Sequence, residues 1–89
     1  MAPSRHQRIK RDFGKRLATA RLAAGYETAA ALSQLLGMED ATYRRYERGE
    51  VEPNFELLLR ICAVLKVTPN DLIMPFRPAA PTPDDETSD

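Results

Sequence analysis

Residues 28–49 read TAAALSQLLGMEDATYRRYERG, and the two halves of this stretch carry different patterns. Thr28 is a good helix N-cap, and Leu32, Leu35 and Leu36 follow at the spacing of an inward helical side. Gly37 then interrupts the pattern, where a positive φ turns the chain. A second helix is predicted from Glu39 or Asp40 to Arg48, with Gly49 as its cap. Tyr43 and Tyr46 share one side of it, and Arg44, Arg45 and Arg48 take another. A short helix with an apolar underside and an arginine exterior, propped on a preceding helix, has a shape that a DNA major groove accepts.

Outward from this stretch the chain reads as further helices. Ile9, Phe13, Leu17, Ala20 and Ala24 recur every three or four residues, which predicts a first helix from about Arg5 or Gln7 to Ala24, capped by Gly25. Gly14 inside it points to a close backbone approach. Ser4 and Gln7 have capping-box spacing, so the basic arm assigned to residues 1–7 is short. After a connecting loop at Glu50–Pro53, Asn54 caps a fourth helix with Phe55, Leu58, Leu59, Cys62 and Leu65 inward and Leu57 and Ile61 widening the stripe. Thr68-Pro69-Asn70-Asp71 starts a fifth, with Leu72, Ile73 and Met74 apolar and Pro75 as its stop. Ser33 is small where the next helix passes close, and Met38 anchors the turn. The expected fold is all-α, a five-helix domain over residues 8–74, followed by a disordered, Pro-rich acidic tail at 75–89 from which Phe76 packs either on the domain or on a partner.

Thirteen basic and thirteen acidic residues cancel, but they are not evenly placed. Residues 1–25 hold seven basic side chains against Asp12, and residues 76–89 hold four acids against Arg77. The basic start suits a phosphate backbone or a minor groove, adding affinity with little specificity. The acidic end suits competition for the same basic surface or a basic protein partner. One cysteine excludes an internal disulfide, and Cys62 reads as a small buried hydrophobe. The absence of a long apolar run argues against a membrane span and a secretory signal, so a cytoplasmic, nucleoid-associated location is expected. His6 stands alone, and no nucleophile–base pair, metal spacing or Gly-rich phosphate loop occurs; neither enzyme, metal nor cofactor is expected.

The run L-S-x-L-L-G-x-x-x-x-T-Y-x-x-Y-E-R-G followed by P-x-F-E-L-L-L-x-I-C-x-V-L-x-V-x-P-x-x-L resembles the Cro/repressor-type, or xenobiotic-response-element, helix-turn-helix family over residues 13–74. The resemblance implies a compact bundle of the lambda-repressor-like type, with its motif at about 28–48. It also implies a repressor that binds palindromic double-stranded DNA as a dimer. Thr28 and Ala29 open the supporting helix, and Asp40, Ala41, Thr42, Arg44, Arg45 and Arg48 fall at or beside the groove. Ala29 stands where many members have glutamine. Arg21 and Glu47 match a commonly paired arginine and glutamate.

Within that frame Arg45 is expected to read a base, and Arg44 and Arg48 to hold phosphates, since neighbouring helical residues point about 100° apart. Thr28 offers a hydroxyl and nearby amides to a phosphate. Ala41 or the Thr42 methyl meets a thymine methyl. Asp40 either caps the helix or accepts a bond from cytosine, and capping is preferred. Dimerisation is expected through the fifth helix and Ile73–Phe76. Two other functions fit the chain: the antitoxin of a toxin–antitoxin pair, and a protein-interaction module that has lost DNA binding through Glu39 and Asp40.

Overall fold

The computed structural model describes residues 4–73, and expectations about Met74, Phe76 and the Pro-rich tail lie outside them. Five helices follow in order: α1 Arg5–Ala23, α2 Ala29–Leu36, α3 Asp40–Glu47, α4 Phe55–Leu65 and α5 Pro69–Leu72. Among the described residues there is no strand, so the all-α expectation holds.

The helix ends follow from side-chain chemistry. The Ser4 hydroxyl accepts from the Gln7 N–H, and the Gln7 side chain accepts from the Ser4 N–H, each at 3.1 Å. This reciprocal box satisfies two otherwise orphaned donors, so the helix begins at Arg5. Residues 5–7, assigned to an arm by composition, are therefore the first turn of α1. Thr28, Asn54 and Thr68 cap α2, α4 and α5 through the N–H groups of Ala31, Leu57 and Asp71. Gly37 ends α2 at φ 71°, in the left-handed region. The Arg60 guanidinium donates to the Leu36 carbonyl beside it, placing a cation at the α2 C-terminus.

Phe13 and Leu17 of α1, Leu32 and Leu36 of α2, Tyr43 of α3, Leu58, Ile61, Cys62 and Leu65 of α4, and Leu72 of α5 form one core. Burying each of the larger aliphatic chains contributes about 1.5–3 kcal/mol relative to exposure. Three residues expected inside are outside: Leu35, Phe55 and Leu59 are exposed. Leu32 and Leu36 occupy the α2 seam, which turns Leu35 outward. The α4 seam is Leu58, Ile61, Cys62 and Leu65; Leu59 projects away from it, and Phe55, the first residue of α4, is exposed at the edge of a groove lined by Phe13, Leu58 and Leu72. Ala24 is exposed at the C-cap of α1. Met38 is half-buried against the core. Helix α5 closes at Leu72 with Ile73 as its cap, shorter than the sequence suggested.

Helix α1 packs against α3 backbone to backbone. A Cβ on Gly14 would overlap the Glu47 carbonyl oxygen and lie 2.7 Å from that of Tyr46. At the other end of the contact, a Cβ on Gly49 would lie 2.7 Å from the Arg11 Cα. The two glycines thus bring α3 directly onto α1 and fix its orientation.

Candidate nucleic-acid interface

Helix α3 is held from beneath. Tyr43 is fully buried, and its hydroxyl donates to Glu47 Oε2 at 2.5 Å. Arg21 Nε of α1 donates to the same oxygen at 2.7 Å, and Arg21 Nη1 donates to the Tyr26 carbonyl at 2.7 Å. Both members of this ion pair are largely buried, with side chains 10% and 14% exposed. The Glu47 hydrogen bond holds Arg21 above the usual guanidinium range against the opposing effect of burial. Burial, followed by the bond to Glu47, pushes the Tyr43 phenol above its ordinary range. No buried side-chain polar atom among the described residues lacks a partner. The network is therefore complete, the condition under which a buried charge pair is stable.

The outer side of α3 presents Ala41, Thr42, Arg44, Arg45 and Arg48, all exposed. Asp40 is half-buried and does not cap: Glu39 occupies the N-cap with no side-chain bond. The Asp40 carboxylate instead takes Arg44, with Nη2 at 3.0 Å, one helical turn away. That i,i+4 geometry competes with capping and replaces the expected role. Thr28 is exposed, its oxygen accepting from the Ala31 N–H at 3.1 Å, and Ala29 is half-buried behind it. Ser33 is buried, its hydroxyl donating to the Ala30 carbonyl at 3.0 Å.

Glu50 is the residue that sequence reading missed. It accepts from Arg48 Nε at 2.6 Å and from Arg45 Nε at 3.4 Å. The bond from Arg48 draws the Glu50 carboxyl below its usual range and raises Arg48. Gly49, at φ 75°, makes this possible by turning the chain back over α3, and the Glu50 N–H then bonds the Arg45 carbonyl at 3.0 Å. A sequence signal existed: an acid directly after a helix-ending glycine lies over the last turn. Outside α3, burial pushes the Cys62 thiol up, which makes it a poor nucleophile. Among the described residues no group of three or more His, Cys, Asp or Glu could hold a metal.

A family model described as a helix-turn-helix domain matches residues 12–72. The chain belongs to the helix-turn-helix family. The helix-turn-helix pair is α2 and α3, with the glycine turn at Gly37 between them. Comparisons with curated proteins and with solved structures return no match. Membership of this family and the outward arginine side of α3 mark a DNA-binding regulator. No helix among the described residues is long and apolar enough to cross a membrane.

Proposed function

We propose that the protein is a sequence-specific double-stranded DNA-binding regulator that acts as a dimeric repressor, with α3 in the major groove. The observation that carries this reading is the separation of sides on α3: Tyr43 and Glu47 face inward while Ala41, Thr42, Arg44, Arg45 and Arg48 face solvent. A guanidinium that bonds guanine O6 and N7 together contributes about 1–3 kcal/mol of discrimination. Arg45 takes that role, Arg44 and Arg48 hold phosphates, and Thr28 with the first amides of α2 takes another phosphate. Ala41 and Thr42 supply apolar contact to a thymine methyl. On the duplex, base and phosphate replace the Asp40 and Glu50 carboxylates as partners of the arginines.

A two-fold dimer sets the two half-sites of a palindrome about 34 Å apart on one face of the duplex. The described surface has the apolar residues for it: Phe55, Leu59 and Ile73 are exposed, and Ile73 and Phe55 border a groove of about 200 Å³ with Phe13 and Leu72 in its wall. A gel-shift on the promoter region of its own gene at low salt tests the reading. A shift by wild type that Arg44→Ala/Arg45→Ala abolishes supports it; no shift, or the same shift from the variant, counts against it.

A second reading, a protein-binding module that has lost DNA binding, is favoured by one observation. All three outward guanidiniums already have carboxylate partners in Asp40 and Glu50. Binding to protein alone, insensitive to salt, would select that reading.

A further inference from the structure

The arginines of α3 are matched by acids, but the neighbouring cations of α1 are not. Arg8, Arg11 and Lys15 are exposed, and none forms an ion pair with a described residue. At about 100° per residue they fall within about 60° of one another on the helix surface. The capping box of Ser4 and Gln7 holds the first turns of α1 helical, so these charges sit on a formed helix. The contact of Gly49 with the Arg11 backbone places the stripe beside the end of α3. Lys10 Nζ, donating to the Glu50 carbonyl at 3.4 Å, adds to the same junction. Arg8 and Arg11 also precede the residues that the family model matches, so they lie outside the shared domain.

We propose that Arg8, Arg11 and Lys15 form a phosphate-binding stripe on α1 that grips the DNA backbone alongside α3. The proposal rests on the DNA-binding reading and divides the labour within it. Helix α3 is close to charge-neutral before binding, since Glu39, Asp40 and Glu50 offset Arg44, Arg45 and Arg48. It supplies discrimination. The α1 stripe supplies sequence-independent attraction, because a phosphate looks the same at every base pair. Since α1 is already folded, the stripe engages at the cost of side-chain ordering alone, without backbone ordering.

The test compares wild type with Arg8→Gln/Arg11→Gln/Lys15→Gln on a selected operator and on a scrambled duplex, across a salt series. Each lost phosphate contact flattens the slope of log K against log salt by about 0.9, so the six lost by a dimer, three from each protomer, flatten it by about 5.4. From 50 to 200 mM salt, the wild-type dimer is then expected to lose roughly 1,800-fold more affinity than the variant. The loss at low salt should be equal on both duplexes, and Arg8→Lys/Arg11→Lys should keep the wild-type slope. Thermal melting verifies folding, and the single variants, each expected to remove about 1.8 of slope from the dimer, replace the triple if it melts early. A variant that keeps the full slope while wild type binds overturns the stripe and leaves the α3 reading standing. Wild type that binds neither duplex overturns both.

Discussion

Replacing Glu47 by leucine should cost far more stability than its place on a short surface helix suggests. The Glu47 carboxylate takes bonds from Arg21 Nε, Arg21 Nη2 and the Tyr43 hydroxyl. Without it, the buried Arg21 guanidinium keeps only the neutral Tyr26 carbonyl among described residues. Breaking a buried pair from one side costs about 3–5 kcal/mol. A domain of about 70 residues has only about 3.5–10 kcal/mol to lose. At about 4–8 °C per kcal/mol, even the lower figure lowers Tm by about 12–24 °C. Urea unfolding followed by helical circular dichroism measures the cost, with Arg21→Met and the double variant completing a cycle. The double variant should recover part of the loss, because no unpaired charge remains buried. A cost for Glu47→Leu below about 1 kcal/mol, or strictly additive effects, would refute the claim that this pair locks α3 onto α1.

Other outcomes follow from the same geometry. Gly14→Ala should destabilise strongly, through overlap with the Glu47 and Tyr46 carbonyls, and thermal melting reads it against an Ala23→Gly control on the exposed end of α1. Lys66 closes α4 at φ 60°, so Lys66→Gly should raise stability by up to about 1 kcal/mol in urea unfolding. The Tyr43 phenol titrates above its ordinary value of 10.0 in the folded protein. Above about pH 10 the unfolded chain has released that proton and the folded one has not, so the folded state binds more protons and stability falls as pH rises. The slope is about 1.4 kcal/mol per pH unit, and Tyr43→Phe should remove it; equal slopes for both proteins would contradict the assigned environment.

Much of the fold is legible in the sequence because local chemistry and global packing agree. Ser4, Thr28, Asn54 and Thr68 each start a helix where their side chains predict, and Gly37 turns the chain as its lack of a Cβ allows. Gly14 announces a close approach but not its partner, which lies thirty-odd residues away in the carbonyls of Tyr46 and Glu47. The errors arise where periodicity alone cannot choose between adjacent apolar residues. Leu35 and Leu59 satisfy a helical stripe, yet the adjacent Leu36 and Leu58 occupy the seam, while Phe55 stands at the exposed first position of α4. At the candidate interface, residue types point to the exposed arginines but not to their partners in the free protein. Asp40 prefers a guanidinium one turn away to a cap, and Glu50 reaches Arg45 and Arg48 only because Gly49 folds it back.

The central claim is that α3 reads bases through Arg45, and selection from random duplex DNA with wild type and Arg45→Ala tests it most directly. Wild type should enrich a two-fold symmetric site containing a fixed guanine in each half. Arg45→Ala should lose preference at that guanine alone, at a cost of about 1–3 kcal/mol, while the rest of the site persists. No enriched site for wild type, or an unchanged site for Arg45→Ala, would contradict the account.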